Sequence, residues 1–311
     1  MGTIIEAAAT ATESALGAVQ LAGAAARFCL KRAGRTPGEL DLLINAGVYL
    51  DNNISEPAIA ALIQEDIGAN PQRHPGRGPG TFSFDVRNGA CGLLTGIYLA
   101  DGMLASGMIK TGMVVAADAD PDPGISEGFS FPAVGGAVLV SAAGQRAGFT
   151  AFRFATFPEF AGLFQSDVNW YQAAPDGTGR PGRNILTVTV ADSYATRAAE
   201  CAESATRELA ADSALGLGDV GLLVATASVP GFAGELAERG EDVGRPGPGD
   251  PAGDRGHDPG QRPQVTGAGR RDAGLARSGL GEQRLQPANS GVWRGWPGHR
   301  WLMPGTARRP R

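Results

Sequence analysis

The sequence has little cysteine, little histidine, almost no lysine and no long apolar run, and each shortage closes off a class of function. Three cysteines, Cys29, Cys91 and Cys201, are an odd and scattered set. They cannot make a disulfide framework. Neither they nor the three histidines, His74, His257 and His299, show metal-ligand spacing. A reducing compartment, without metal or cofactor, is the simplest expectation. The formal net charge of -5 leaves no basic footprint for nucleic acid. The N-terminus has no basic leader before an apolar stretch, and no run is long enough to span a bilayer, so neither a signal peptide nor a membrane segment is expected. Lysine occurs only at Lys31 and Lys110. With abundant Gly, Ala and Pro, the preference for Arg points to a GC-rich genome. An apolar fraction of 42% in 311 residues supports a sizeable core, in one large domain or two smaller ones.

Within that composition one stretch stands out, Thr81 to Gly107. Thr81-Phe82-Ser83-Phe84-Asp85-Val86 alternates apolar and polar side chains, the period of a strand. Asn88-Gly89 marks a turn. From Cys91 onward, Leu94, Ile97, Tyr98, Met103 and Leu104 recur at helical spacing. Cys91 therefore falls at a helix N-terminus, where unpaired N–H groups and the helix dipole favour an anion. A thiolate there would have a lowered pKa and act as a nucleophile. The small neighbours Gly89, Ala90 and Gly92 would let a substrate carbonyl come close. The same spacing also fits a small buried Cys that fills a crowded helix start.

Elsewhere the chain alternates strands and helices. Residues 3–10 read as a short strand and Glu13–Ala33 as an Ala-rich helix ended by Gly34, with Gly23 on its apolar face for close packing. Asp41–Ala46 reads as a buried strand and Pro57–Ile67 as a helix. His74 lies in a Pro/Gly-rich loop and is expected to be solvated. Asp118, Asp120 and Asp122 are broken up by Pro121 and Pro123 and lack calcium-loop spacing, so they too read as a solvated loop. Phe149–Phe157 reads as a strand, and residues 158–184, with Trp170 and Tyr171, as a crossover or insertion. Ser193–Ala211 is a second Ala-rich helix, followed by Gly218–Ala225. That unit repeats the order of Glu13–Asn45: helix, Gly-containing turn, acidic residue, buried strand. A duplicated βα unit is what a two-half parallel-sheet α/β fold requires.

Asn88-Gly89-Ala90-Cys91-Gly92-Leu93-Leu94, then Ala100-Asp101 and Ala105-Ser106-Gly107, resembles the nucleophile segment of the ketoacyl-ACP synthase III family. Gly112–Asp118 and Gly135–Val140 are similar to the strands that follow it in that family. The resemblance implies a thiolase-like α/β fold of two related βα halves. Residues 1–150 would be the first half, 151–184 a crossover, and 185–240 the start of a truncated second half. It further implies a transferase in which Cys91 takes an acyl group from an acyl-CoA or acyl-carrier protein thioester. The Cys91 N–H would contribute to an oxyanion hole, and the protein would be a cytoplasmic homodimer in fatty-acid or polyketide synthesis.

Two departures qualify this reading. The family delivers a catalytic His on a second-half strand, and aligning Leu223–Ser228 on that strand puts Thr226 at the His position. Thr cannot replace imidazole as a base, so condensation onto malonyl-ACP is in doubt. Residues 241–311 contain neither Ile nor Phe, are rich in Gly, Pro and Arg, and hold Trp293, Trp296 and Trp301. Such a composition reads as a disordered tail. Back-translating Ser290–Trp301 and moving the frame by one base can give Ala-Ala-Ser-Gly-Ala-Gly-Gly-Leu-Ala-Ile-Gly-Gly, similar to the family's last glycine-rich strand. A frame shift near Gly240 would explain the tail, and no role falls to His257 or His299. The sequence leaves two alternatives to the synthase reading: a stand-alone acyltransferase to an alcohol or amine, and an inactive truncated paralogue paired as a heterodimer with a related subunit.

Overall fold

The computed structural model describes residues 2–13, 16–54, 56–70, 80–123, 125–143, 148–169 and 185–214, and beyond these 220, 222–225, 232, 234–236, 239 and 264–267. Its centre is a five-stranded sheet of β1 (Thr3–Ala11), β2 (Leu42–Asn45), β3 (Phe82–Asp85), β4 (Thr111–Asp118) and β5 (Val134–Ala142), in the order β1-β5-β4-β2-β3. Strand β2 runs parallel to β3 and β4, and β5 runs antiparallel to β4 and β1. Leu42-Leu43-Ile44 and Met113–Ala117 are unbroken apolar runs because both faces of the sheet are covered. Leu43, Met113, Val115 and Leu139 face α1 (Ala18–Ala33) and α2 (Ile59–Ile67). Leu42, Ile44, Val114 and Val138 face α3 (Gly92–Ala105).

Helix α1 starts five residues later than its apolar pattern predicts. Its N-terminus is capped from a distance: the Asp51 carboxylate accepts from Ala18 N–H at 2.6 Å and Val19 N–H at 3.2 Å. Gly17 is needed there, since a Cβ would lie 2.4 Å from Asp51 Oδ1. Gly34 ends the helix in the left-handed conformation, as expected. Helix α2 is capped in the same remote way. Asp85, on β3, accepts from Ile59 N–H and Ala60 N–H, both at 2.8 Å, and from Asn45 Nδ2 at 3.0 Å. Gly23 admits Asp66 of α2, which pairs with Arg27 at 2.8 Å.

Two expectations about the middle of the chain need correction. Residues 149–157 make no strand; one bridge joins Phe149 to Thr3. The alternation is real, but two different partners satisfy it. Phe152 and Phe154 set their edges against Tyr98 of α3. Arg153, between them, pairs with Glu208 and with Asp212 (2.6 Å) of α4 (Tyr194–Asp212). The strand lies instead inside the expected crossover: β6 (Phe164–Asn169) pairs antiparallel with β7 (Ile185–Val190). Trp170 and Tyr171 lie outside the described residues.

The second strand–helix–strand unit is β7, α4 and β8 (Leu222–Ala225). Strand β8 pairs in parallel with β9 (Gln264–Gly267), four residues in the segment where the sequence shows no periodicity. Backbone pairing over so short a stretch leaves no side-chain period to read. The two units meet where Glu127 N–H donates to Leu186 O at 2.7 Å and Val188 N–H donates to Glu127 O at 2.8 Å. Among the described residues no helix is long and apolar enough to cross a membrane.

Candidate active site

Strands β2, β3 and β4 are parallel, so their C-terminal ends share one edge of the sheet, where open α/β folds place their ligands. Cys91 sits at that edge. Past Asp85, Val86 N–H still donates to Asn45 O at 2.8 Å, so the chain leaves β3 in register with β2. It then folds into a 3-10 turn, Gly89–Cys91, that needs glycine at Gly89 (φ 48°). Cys91 ends the turn and is the N-cap of α3, the position the sequence predicts.

The height of that turn above the sheet is set by glycines of α3. A Cβ on Gly96 would lie 2.6 Å from Val114 Cγ1, and one on Gly92 would lie 3.0 Å from Ala46 O. The bare face of Gly92 is therefore turned to the chain's own backbone, not to a substrate. Nearby, Asn45 Oδ1 accepts from Gly47 N–H at 3.2 Å, and Asp118 accepts from Val48 N–H at 2.9 Å and Tyr49 N–H at 2.8 Å. These contacts fix the loop after β2 beneath the nucleophile turn. Arg87 is exposed at the surface, yet desolvation of its guanidinium lowers its pKa, and the charges of Asp85 and Asp118 oppose that fall.

Two expectations about Cys91 itself are corrected. A helix start predicts a lowered thiol pKa, but Cys91 is only 8% exposed and burial pushes the thiol up to about 11. Its N–H, expected in an oxyanion hole, donates to Asn88 O at 2.9 Å and closes the 3-10 turn. Two side chains to which the sequence reading gave no role, those of Asn88 and Thr95, frame the same turn. Asn88 Nδ2 donates to Thr95 Oγ1 at 2.8 Å, and the Thr95 hydroxyl donates to Cys91 O at 2.8 Å. The signal was available: Asn88 opens the turn dipeptide, and Thr95 is one helical turn past Cys91.

Of the other candidates, Thr226 and all three histidines, His74, His257 and His299, lie outside the described residues. Cys29 and Cys201 are buried in α1 and α4, and burial pushes each thiol up to about 11. None of the three cysteines forms a disulfide. Asp120 accepts from Asp122 N–H at 3.1 Å and from Ser126 Oγ, a local turn rather than an ion cage. No cluster among the described residues has the donors for a metal ion.

No family model matches the chain. It is 36% identical over 98 residues to beta-ketoacyl-[acyl-carrier-protein] synthase III of Erythrobacter litoralis, covering 32% of this chain and 27% of that protein. It is 33% identical over 99 residues to the Caulobacter vibrioides enzyme of the same name, with the same shares of the two chains. The match thus spans about a quarter of these relatives' length. In three dimensions it resembles 3-oxoacyl-(acyl carrier protein) synthase III of Pseudomonas aeruginosa, with a TM-score of 0.61 at 14% identity, over 78% of this chain and 81% of that one. The Thermus thermophilus enzyme superposes with a TM-score of 0.60 at 18% identity over the same shares. Xanthomonas campestris OleA superposes with a TM-score of 0.52 at 13% identity, over 76% of this chain and 81% of its own. The chain carries the thiolase-like α/β fold of the ketoacyl synthase III family and is related to that family in sequence over about a third of its length.

Proposed function

We propose that the chain is a ketoacyl-ACP synthase III-like acyltransferase in which Cys91 accepts an acyl group from an acyl-CoA or acyl-carrier protein thioester. The observation that carries this reading is the placement of Cys91. It caps α3 at the C-terminal edge of three parallel strands, on a glycine-tightened turn in a fold shared with 3-oxoacyl-(acyl carrier protein) synthase III. In the reaction the Cys91 thiolate attacks the thioester carbonyl, the C–S bond to CoA or to the carrier breaks, and the freed thiolate takes up a proton. The Cys91 proton must leave first, and a thiol held near pKa 11 does not lose it readily at neutral pH. With Thr226 at the family's His position, acylation is expected to be slow and condensation onto malonyl-ACP slower still. The proposed setting is cytoplasmic, as a homodimer, in fatty-acid or polyketide synthesis.

The raised thiol pKa and the engaged Cys91 N–H also favour a second reading, an inactive paralogue that serves as a partner subunit. Intact mass of the full-length protein after incubation with acetyl-CoA decides between them. The first reading expects a stable 42 Da acetyl adduct (the general mass of an acetyl group replacing hydrogen, about 42) that disappears in Cys91→Ala. A folded protein without adduct from pH 7 to pH 9.5 supports the second.

A further inference from the structure

The Cys91 turn is held at both ends by one residue. Asn88 accepts the Cys91 N–H through its backbone carbonyl at 2.9 Å, and its side-chain amide reaches Thr95 Oγ1 at 2.8 Å. Thr95 completes the loop by donating to Cys91 O at 2.8 Å. The direction of this chain is forced. A carbonyl can only accept, so the single Thr95 hydroxyl proton goes to Cys91 O. The remaining partner of Oγ1 must then be a donor, which turns Nδ2 of Asn88 toward it. A Thr bonded back to the residue four earlier usually loosens a helix slightly. Here the hydroxyl joins the first turn of α3 to the 3-10 turn before it, and Cys91 is the residue between them.

We infer that Thr95, oriented by Asn88, is the positioning residue of the nucleophile turn: its hydroxyl holds the Cys91 carbonyl and so fixes the backbone (φ −88°, ψ 0°) from which the thiol is presented. This rests on reading Cys91 as the acyl-accepting thiol. Thr95 acts through Cys91 and has no contact with the acyl group in this role. Releasing the clasp lets the turn open, so Cys91 becomes easier to reach for a small reagent and worse placed for a thioester. Those two effects run in opposite directions, and a general loss of stability would not produce that pair selectively at Cys91.

The test uses full-length protein in three forms, wild type, Thr95→Val and Thr95→Ser. Iodoacetamide labelling of Cys91 and Cys29 is followed by peptide mass, with acetyl-CoA acylation of Cys91 measured in parallel. Cys29 is the internal reference, because it is fully buried in α1 and its thiol donates to Ala7 O at 3.3 Å. Thr95→Val keeps the branched shape and removes the hydroxyl. It is expected to raise the Cys91:Cys29 labelling ratio about tenfold, the size of one lost hydrogen bond in a partly buried network, and to lower acylation by a similar factor. Thr95→Ser, which keeps the hydroxyl, should restore both. An unchanged ratio in Thr95→Val overturns the inference, and so does a rise in both cysteines together, which marks general loosening. If wild type forms no acyl adduct, the proposed acyltransferase fails, and the labelling ratio still decides whether Thr95 holds the turn.

Discussion

Helices α1 and α4 occupy equivalent places in the repeated strand–helix–strand unit, and they are fastened by different forces. Helix α1 buries Leu21, Ala22, Ala25, Ala26, Cys29 and Leu30 against the sheet. It lies so close that a Cβ on Gly135 of β5 would fall 2.4 Å from Leu21 O. Helix α4 buries a shorter apolar strip, Ala198, Ala199 and Cys201 among it, near Phe232 and Leu236. The rest of its surface is tied by ion pairs: Arg197–Glu200, Arg207–Glu203, Arg239 with Glu200 and Glu203, and Arg153 reaching in from residues 149–157. Burial of apolar surface stabilises by roughly 25 cal/mol per Å², whereas an exposed ion pair contributes about 0–1 kcal/mol. A repeated sequence plan therefore does not imply repeated energetics. The candidate nucleophile stands on the half whose sheet is covered on both faces.

The sharpest way to break this comparison is to make the same deletion in both halves. Leu43 of β2 is fully buried, between the α1 side of the sheet and its neighbours, and Leu186 of β7 is 1% exposed. Leu43→Ala should cost about 4 kcal/mol and Leu186→Ala about 2 kcal/mol, the upper part and the low end of the usual range for such deletions. Chemical denaturation of both variants measures the gap. Equal costs would mean that β7 is packed as tightly as the central sheet.

A smaller contrast sets the remote cap of α1 against the ion pairs of α4. Asp51→Ala leaves the Ala18 and Val19 N–H groups without their acceptor and should cost about 1–2 kcal/mol. Arg153→Ala removes exposed pairs on α4 and should cost no more than about 1 kcal/mol. If the thermal shift for Arg153→Ala exceeds that for Asp51→Ala, the strap at 149–157 carries more of the second unit than its exposed ion pairs suggest.

The gentlest probe leaves the chain unchanged. Burial pushes the Cys91 thiol up to about 11. Since the reactive form is the thiolate, iodoacetamide labelling of Cys91 should rise about tenfold per pH unit from pH 7 to pH 10. A plateau near pH 8 would instead show that the helix start lowers the pKa, the outcome the sequence pattern suggests. Wherever stability is followed over the same range, the sign is fixed by the raised folded value: the protonated thiol's contribution is complete below its unfolded pKa and is lost as pH climbs through the folded one.

The apolar runs and helical spacing in the sequence were enough to locate β2, α1 and α3, the family resemblance marked β4 and β5, and the turn residues were enough to place Cys91 at a helix start. Those features depend on neighbours along the chain. Both faces of the central sheet are buried, so the strands are written as continuous apolar runs, and Gly34 can end α1 only because it accepts φ 66°. The segment 149–157 shows where local reading stops. Its alternating residues read as a strand, yet Phe152 and Phe154 answer to Tyr98 while Arg153 answers to α4.

By itself, then, the sequence determined the covered sheet, the helix that follows β3 and the identity of the candidate nucleophile. Only the tertiary structure decided where α1 and α2 begin, because their caps, Asp51 and Asp85, arrive from other elements. It also decided the state of Cys91. A helix N-terminus favours the thiolate through a local dipole, but desolvation depends on everything packed around the thiol, and at 8% exposure burial pushes its pKa up. The Cys91 N–H is likewise committed to Asn88 by the fold of the turn, a pairing that residue order alone leaves open. Dipoles and periods are properties of a short stretch, whereas burial and remote hydrogen bonds exist only once distant stretches have met.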